Sequence, residues 1–505
     1  MYSHTRYMSV SQLPAASAAI PQYCIHVQLH ACAHTLSPAC ACLLEATQHA
    51  HRSCTPSVRY VSVADHPVCV PAPPGETEGE SQSCGLLCVV CGGAKMMRQT
   101  MRLIFAQLVV STAAWSLYAG ERIAAAAGAT GKLSSPLSIL DLPQAEHWCT
   151  GQALKEQHLQ NVYRHLFRNG GSFDAESLHS HAELPREKAA ALCEAFAGVT
   201  TSKIVQRIPS EGGLKLIVEL ASGHRIETVL ILHDHKSSGA RRCTVCVSSQ
   251  VGCARACSFC ATGTMGIIAH LKAAEILEQV WHARHEVPAG YSVRNVVFMG
   301  MGEPLDNFDA LLGALRGLTH QSLFDLASKH VTVSTVGASP ERIRRLADAA
   351  PKVRLALSLH SATLPLRQQL IPSATSMPAL TDALDYHARS TGCGLMVEYL
   401  LIDGVNDRQC DADALAAFCA ERDAASASAM PLMSRKQARA AAGYVNLIPF
   451  NPTEVGAAHG YATPSDESVE RFHAWLREKH GVNALVRWTS AVGRDAQGAC
   501  GQLVA

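Results

Sequence analysis

Three cysteines lie close together in the middle of the chain. Cys253, Cys257 and Cys260 have the spacing C-x3-C-x2-C. Three thiolates on one short loop can each ligate one iron of a 4Fe-4S cluster, which leaves the fourth iron open to a substrate. A structural zinc site is the alternative, but it would normally use a fourth Cys or His with second-pair spacing. The spacing therefore favours an iron–sulfur cluster.

The same spacing occurs nearer the N-terminus. Cys84, Cys88 and Cys91 lie in an irregular stretch, with no β-rich run before them and no amphipathic helix after them. Because a motif depends on its structural context, we interpret this copy as a coincidence or at most a minor zinc-binding segment.

Further polar residues occur where predicted strands end. In a parallel barrel the carboxyl ends of the strands form one mouth, so these residues should meet beside the cysteine loop. Glycines let a backbone approach a ligand closely, and a carboxylate beside them can accept hydrogen bonds from an amine. A turn residue is the better explanation for any single one, whereas the series favours a ligand site. The residues are Gly302, Glu303, Ser334, Ser358, His360 and Asn451.

The elements that must position these residues are short strands alternating with helices. Such an alternation predicts a parallel sheet, because each strand needs a crossover helix to return. The predicted fold class is α/β, with a partial (βα)6 barrel; two further units of a full barrel are not found. The predicted strands are 246–248, 293–299, 331–335, 353–359, 395–402 and 444–448.

The chain divides into five predicted parts. Residues 1–130 are a targeting or disordered leader, or a mispredicted extension. Apolar residues at helical spacing predict a small helical domain over 135–200, and period-two alternation predicts a β-hairpin linker over 201–242. The barrel is expected over 243–490 and a C-terminal tail over 491–505.

The N-terminal part has the character of a leader. Its first 75 residues contain two acidic residues and no sustained hydrophobic period. This is typical of a transit peptide, and the alternative is a mispredicted start at Met96, Met97 or Met101. The apolar run 103–119 is near the short limit for a membrane span, so we interpret it as a targeting segment and expect no stable membrane association.

The composition excludes several classes of protein. The formal charge is +1 over 505 residues, so any site for a polyanion must be a local patch. With 48% hydrophobic and 17% charged residues, the chain is neither a disordered charged tail nor a coiled coil. Five of the 20 cysteines lie between Cys243 and Cys260, too densely for separate disulfides, which indicates a reducing compartment.

Longer strings resemble a known family. The cysteine motif with Phe259 and the Gly302-Glu303-Pro304 segment resembles the radical S-adenosylmethionine (SAM) enzymes. Over about residues 136–505 the chain resembles the RlmN/Cfr-type methyltransferases, which methylate adenosine in ribosomal and transfer RNA. The matching strings are CVSSQVGC from Cys246, VFMGMGEPL from Val297, VNLIPFNP from Val445 and ACGQL from Ala499.

The resemblance implies cofactors and residue roles. It implies a 4Fe-4S cluster on the three motif cysteines and two SAM molecules per turnover. Cys500 matches the cysteine that is methylated first, Cys246 the thiol that later forms a disulfide with it, and Glu227 the proton acceptor. The positions that match SAM-binding residues of the family are Gly302, Glu303, Ser334, Ser358, His360 and Asn451.

The implied reaction is methylation of carbon 2 of adenosine in large-subunit rRNA and in tRNA. Carbon 2 is electrophilic, so transfer of a methyl cation is unfavourable and a radical route avoids the difficulty. In the family's scheme the carbon on Cys500 adds to the ring, a covalent protein–RNA adduct forms, and Cys246 releases the product. The alternatives are carbon-8 methylation within the same family, a non-catalytic RNA-binding or assembly protein, and a radical SAM enzyme for a small molecule or peptide.

Partners follow from the same resemblance. We expect the helical domain to contact RNA, a flavodoxin or ferredoxin to donate electrons, and the protein to be a monomer. A leader on a bacterial-looking enzyme favours the chloroplast, with the mitochondrion or cytoplasm as alternatives.

The chain departs from the family pattern in two places. Extra residues, including His233, Asp234 and His235, lie between Glu227 and Cys246. Residues 420–443 look like a loop insertion, whose basic residues either touch RNA phosphates or form a solvated loop. The basic residues are Arg435, Lys436 and Arg439.

Overall fold

The computed structural model describes residues 136–210, 212–234, 239–429, 443–488, 498–499 and 501–504, and a short antiparallel pairing of Ser62–Val63 with His66–Pro67. The chain divides into two units, Met1–Ala127 and Gly128–Ala505. Some predictions fall outside the described residues. They concern Cys84, Cys88, Cys91, the run 103–119, His235, Arg435, Lys436, Arg439 and Cys500.

Four helices open the described part of the second unit. They are α1 (Leu142–Gly151), α2 (Glu156–Arg168), α3 (Ala175–Ala182) and α4 (Arg186–Ala195). Asp141 caps α1 by accepting a hydrogen bond from the N–H of Gln144. The helices bury a shared apolar core that includes Leu142, Leu159, Val162, Leu166, Leu178 and Leu192.

A ten-stranded sheet follows. One edge is antiparallel and consists of β1 (Lys203–Ser210), β2 (Gly213–Glu219), β3 (Arg225–Asp234) and β4 (Arg241–Cys246). The segment predicted as a hairpin linker thus holds three antiparallel strands that continue the main sheet. A separate hairpin comes next, with β5 (Gln250–Cys253) and β6 (Gly266–His270).

The other strands run parallel to β4. In sheet order they are β7 (Ser292–Phe298), β8 (Val331–Thr335), β9 (Arg354–Ser358), β10 (Met396–Leu401), β11 (Tyr444–Pro449) and β12 (Ala484–Val486). The sequence did not predict β12, because three residues are too few to show alternation. The prediction of a first strand at 246–248 was wrong: β4 ends at Cys246, and the N–H of Ser248 bonds the Gln279 side chain instead of a strand.

Helices alternate with the parallel strands along the chain. They are α5 (Ala261–Thr264), α6 (Ala273–Glu286), α7 (Phe308–Thr319), α8 (Pro340–Ala349), α9 (Leu364–Leu370), α10 (Met377–Thr391), α11 (Gln409–Ala429), α12 (Glu454–Ala458) and α13 (Asp466–Ala474). The predicted α/β fold with a partial barrel is confirmed. No helix within the described ranges is both long enough and apolar enough to cross a membrane.

Candidate active site

The cysteine loop lies at the carboxyl ends of the parallel strands. Cys253 ends β5, Cys260 directly precedes α5, and Cys257 lies between them. Cys257 and Phe259 pack in a small apolar cluster with Leu400 near the end of β10. The same cluster contains Leu370, Ile371, Ala374, Ile402, Phe450 and Tyr461. The structure therefore brings the cysteine loop to the mouth of the partial barrel.

The three thiols influence one another. Burial raises the pKa of Cys253 to about 11 and the pKa of Cys257 well above its ordinary value, and the nearby Cys260 adds to both increases. Burial also raises the pKa of Cys260. Such thiols keep their protons until a metal displaces them. Among the described residues no group of three such side chains could hold a single metal ion, whereas in a 4Fe-4S cluster each of three thiols on one loop ligates a separate iron and one iron stays free of protein ligands.

An ion-pair bridge ties the cysteine loop to the segment after β7. Arg255 donates to Oδ2 of Asp306, with an Nε to Oδ2 distance of 2.7 Å. Arg342 donates to Oδ1 of the same carboxylate at 2.9 Å. Because Arg255 lies between two motif cysteines and Asp306 lies three residues after Glu303, this bridge fixes the two loops relative to each other.

The glycines after β7 allow close packing against residues 248–250. Gly302 has a φ of 101°, and a Cβ atom there would lie 2.6 Å from Cβ of Gln250. A Cβ atom at Gly300 would lie 2.8 Å from the backbone nitrogen of Ser248. Residues 248–250 thus fill the space beside these two glycines. The N–H of Glu303 donates to the side chain of Gln250, which fixes the Glu303 backbone to β5, the strand that leads into the cysteine loop.

Glu303 is buried and connects two strand ends. Its Oε1 accepts a hydrogen bond from the N–H of Leu305 at 3.2 Å, and its Oε2 accepts one from the N–H of Val336 at 2.9 Å. Burial raises the pKa of this carboxyl, and the backbone donors oppose the increase. Each carboxylate oxygen has a second lone pair, so the side chain can still accept from an amine.

Cys246 and Glu227 share one face of the sheet. Cys246 pairs with Val229 of β3, and strand alternation places Glu227, two residues earlier, on the same face. For such a diagonal pair on neighbouring strands the separation is about 7–8 Å.

Ser334 and Ser358 lie on this face as well. Cys246 pairs with Val297, and Val297 pairs with Thr332, two residues before Ser334. The hydroxyl oxygens of Ser334 and Ser358 are 3.2 Å apart. The opposite face carries the apolar core under the helices, including Val245, Val296, Val333, Leu357 and Leu447. The polar face is therefore the lumen of the partial barrel.

His360 follows β9 and is held as a neutral donor. Its Nδ1 accepts a hydrogen bond from the N–H of Leu400 at 3.0 Å, which places the ring proton on Nε2. Burial lowers the pKa of His360 to about 3. The ring meets Phe259 of the cysteine loop edge-on, with centroids 4.8 Å apart. A neutral donor beside the loop fits the predicted contact with a cofactor.

Asn451 follows β11 and has an unused donor. The residue is 2% exposed, and its Nδ2 has no hydrogen-bond partner among the described residues. A buried donor without a partner costs about 1–3 kcal/mol. An acceptor on a bound molecule would remove this cost, so the donor fits the predicted role of Asn451 in binding SAM.

Glu227 forms a buried ion pair with Lys215 of β2. Oε2 of Glu227 lies 3.3 Å from Nζ of Lys215, and their side chains are 2% and 6% exposed. Burial raises the pKa of Glu227, while the nearby Lys215 ammonium opposes the increase. A carboxylate with a raised pKa is a better proton acceptor than an exposed one.

Cys246 is a buried free thiol. Burial raises its pKa to about 12, so the thiol is neutral at rest. The disulfide predicted between Cys246 and Cys500 is not seen, since Cys500 lies outside the described residues.

The described residues that flank Cys500 are bonded to the site. The carbonyl of Gly501 accepts a hydrogen bond from the N–H of Ala261 at 2.8 Å, directly after the last motif cysteine. The hydroxyl of Thr262 donates to the carbonyl of Leu503 at 2.5 Å. The N–H of Val504 donates to Oε1 of Glu227 at 3.2 Å. The tail thus connects α5 with Glu227.

The extra residues after Glu227 do not displace it. His233 and Asp234 lengthen β3 at the end remote from Glu227, where they pair with Arg242 and Arg241. The extra residues therefore lengthen the antiparallel pair of β3 and β4 at its tip and leave the pairing of Val229 with Cys246 in place.

Sequence reasoning missed three positioning residues. Lys215 lies in an alternating strand and resembles a solvent-facing lysine until β2 and β3 are paired. Arg367 is fully buried and donates to the carbonyls at the ends of β8 and β9, including that of Ser358 at 3.0 Å. The amide of Asn406 donates to the carbonyl of His360 at 2.8 Å. Neither Arg367 nor Asn406 belongs to a recognisable motif.

Comparisons with known proteins agree with this geometry. Residues 247–415 match the family model of the radical SAM superfamily. A Synechococcus protein named probable dual-specificity RNA methyltransferase RlmN is 39% identical over 375 residues, covering 74% of this chain and 96% of that protein. A protein from Nitrosopumilus maritimus named ribosomal RNA large subunit methyltransferase N is 37% identical over 330 residues, covering 64% of this chain and 86% of that protein.

A solved structure extends the similarity to the fold. The crystal structure of a radical SAM methyltransferase from Sphaerobacter thermophilus has a TM-score of 0.61 and 32% sequence identity, and the match covers 73% of this chain and 99% of that one. Membership implies a 4Fe-4S cluster and SAM as cofactors, with two SAM molecules per turnover. The chain belongs to the RlmN family of radical SAM RNA methyltransferases.

Proposed function

We propose that this protein methylates carbon 2 of adenosine in large-subunit rRNA and in tRNA, through a methylated Cys500 and a covalent protein–RNA intermediate. The observation that carries the proposal is the position of the tail. Gly501 and Leu503, which follow Cys500, bond the cysteine-loop helix, and Val504 bonds Glu227, which shares a lumen face with Cys246.

The chain holds its cofactors at the mouth of the barrel. Cys253, Cys257 and Cys260 would hold the cluster, and the strand-end residues after β7, β8, β9 and β11 would hold SAM. Bound together, the cluster and SAM supply a methyl group and the radical that activates it. Arg367 and Asn406 keep the strand ends in place by bonding their backbone carbonyls.

Glu227 accepts the proton that carbon 2 of the adenine loses. Lys215 keeps the buried carboxyl ionised enough to act, and the N–H of Val504 orients Oε1. Both contacts come from elements outside the parallel strands, so the base is positioned independently of the SAM residues.

Cys246 resolves the adduct. Its sulfur attacks the sulfur of Cys500, the bond between Cys500 sulfur and the transferred carbon breaks, and a proton completes the methyl group. The product is a Cys246–Cys500 disulfide, which exchange with a reducing dithiol returns to two thiols before the next turnover. A flavodoxin or ferredoxin donates the electron for the cleavage of SAM.

A pair of cysteine variants tests this order of events. Cys246→Ala should form the adduct but not release it, so RNA should stay attached to the protein after denaturation. Cys500→Ala and the double variant should form no adduct. Cys243→Ala is the matched control, because Cys243 is also buried on β4 but points to the opposite face. Normal release of 2-methyladenosine by Cys246→Ala would contradict the resolving role.

Nucleoside mass spectrometry separates the remaining alternatives. We expect 2-methyladenosine in rRNA and tRNA incubated with the enzyme. The detection of 8-methyladenosine would assign the carbon-8 reaction, and RNA binding without any methylated product would assign a non-catalytic assembly role.

We further propose a monomer that acts in the chloroplast. The acid-poor N-terminal segment supports the organelle. A fluorescent fusion of residues 1–130 tests the location, with mitochondrial or cytoplasmic signal as the contrary results. Light scattering of the purified enzyme tests the monomer.

A further inference from the structure

A buried carboxyl group in the barrel lumen has no role in the mechanism above. Glu398 of β10 pairs with Ser358 and with Asn446 of β11, so all three side chains share the lumen face. Glu398 lies two residues before Leu400, which packs against the cysteine loop. Two residues of a strand span about 7 Å. The carboxyl group is therefore one layer below the mouth of the barrel.

The hydrogen bonds of Glu398 leave one oxygen unused. Oε1 accepts a hydrogen bond from Nδ2 of Asn446 at 2.8 Å. Oε2 receives no hydrogen bond from any residue that the structure describes. Because Glu398 lies on the lumen face, this second oxygen can accept a hydrogen bond from a molecule that enters the lumen.

A cation lies on the same side of the lumen. The Nε of Arg487 donates to Oδ1 of Asn446 at 2.8 Å, and Arg487 itself is exposed. Glu398, Asn446 and Arg487 thus form a chain that leads from the lumen to the surface. An exposed guanidinium suits the phosphates of an RNA, whereas SAM carries a positively charged sulfonium group.

The carboxyl group also has the right chemistry for adenine. A carboxyl group accepts from the exocyclic amino group of adenine, and in its protonated form it donates to the ring nitrogen N1. Burial favours the protonated form by raising the pKa of Glu398 to about 7.

We propose that Glu398 recognises the target adenine of the RNA by binding its amino group and N1. The inference deepens the proposed function and rests on it, because an RNA adenosine must enter the lumen. SAM also contains an adenine, so the shared chemistry is recognition of an adenine edge, and the experiment must separate the two sources.

The test compares Glu398→Gln with the wild-type holoenzyme on two RNA hairpins. One hairpin carries adenosine at the target position, and the other carries purine riboside, which lacks the amino group. Gln can still accept the bond from Asn446 through its Oε1, so we expect normal folding and iron content. This bond turns the NH2 group of Gln toward the lumen, where it can donate but cannot accept from the amino group of adenine. The matched control is Asp407→Asn, which changes a buried carboxyl group bonded to Ser468 outside the lumen.

Wild type and Asp407→Asn should prefer the adenosine hairpin over the purine riboside hairpin by about 10- to 100-fold in kcat/KM. This is the range for a lost hydrogen bond to a buried polar group. Glu398→Gln should lose most of this preference while its dissociation constant for SAM stays unchanged. An unchanged preference in Glu398→Gln would overturn the inference. A loss of SAM affinity equal to the loss of activity would assign the carboxyl to the adenine of SAM and overturn it as well.

The carbon that is methylated is a separate readout. If the wild-type product on adenosine is 8-methyladenosine, the proposed function fails at carbon 2, but the preference for the amino group still tests Glu398. If the preference is absent from Glu398→Gln and the product is 2-methyladenosine, both proposals hold.

Discussion

Removal of the Lys215 ammonium should raise the pKa of Glu227 further and so weaken its action as a base on the acidic side of the pH profile. The variant Lys215→Met keeps the length of the side chain and removes its charge, which lies 3.3 Å from Oε2 of Glu227. An opposite charge at this distance lowers the pKa of a carboxyl by about 1–3. Burial already raises the pKa of Glu227, so losing the cation should raise it by a further amount of that size.

The rate profile of Lys215→Met should move to higher pH. A proton acceptor works in its ionised form, so a higher pKa displaces the acidic limb of the profile upward in pH. On the acidic limb of the profile the variant should lose about 10-fold in single-turnover methylation each time the pKa rises by one, because the ionised fraction falls about tenfold, and the rate should recover as the pH rises. Glu227→Gln should be slow at every pH. A rate that falls equally at all pH values in Lys215→Met would refute the role of Glu227 as the base.

Stability provides an independent check on the same pair. Breaking a buried ion pair costs about 3–5 kcal/mol when the remaining charge stays buried. In Lys215→Met this cost should be largest at high pH and shrink as the pH falls through the raised pKa, because Glu227 then takes up a proton. The double variant Lys215→Met/Glu227→Gln should recover most of the loss. Thermal unfolding of the wild type, the two single variants Lys215→Met and Glu227→Gln, and the double variant across pH measures the effect.

Three further predictions concern the cluster and the leader. Cys257→Ala should abolish iron binding and SAM cleavage, while Cys88→Ala should change neither; retained iron in Cys257→Ala would move the cluster elsewhere. Deleting residues 1–130 should leave methylation unchanged in a purified enzyme, and loss of the cluster on deletion would show that this segment is part of the fold. Asp306→Asn should release Arg255 and lower SAM cleavage by about 10- to 100-fold with RNA binding unchanged, as measured by 5′-deoxyadenosine formation; equal loss of both would indicate misfolding.

The convergence of the strand ends was predictable, because the carboxyl ends of parallel strands lie at the same edge of the sheet. Ser334 and Ser358 each close a short apolar run, and crossover connections bring such ends together. The hydroxyl contact between them, at 3.2 Å, follows from that topology without any knowledge of the ligand.

Buried charged residues were less predictable, because the sequence alone does not show whether a charged residue in a strand faces solvent or the lumen. Lys215 alternates with apolar residues as a surface lysine does, and its burial arises from the pairing of β2 with β3. Glu398 interrupts a strand in which every residue is buried, which is a stronger signal. A charged residue inside a continuous apolar run rarely faces helices, so it should be assigned to the lumen side.

The residues proposed for proton removal and thiol exchange lie outside the segment that matches the radical SAM superfamily model. The match spans 247–415 and includes the cysteine loop and the ends of β7, β8 and β9, which are proposed to bind SAM. Glu227, Cys246 and the tail all fall outside it. In the proposed mechanism, radical formation belongs to the shared barrel, whereas proton removal and thiol exchange come from elements joined to its two ends. The continuous pairing of β3 with β4 and the bond from Val504 to Glu227 are what bring these added groups into one site.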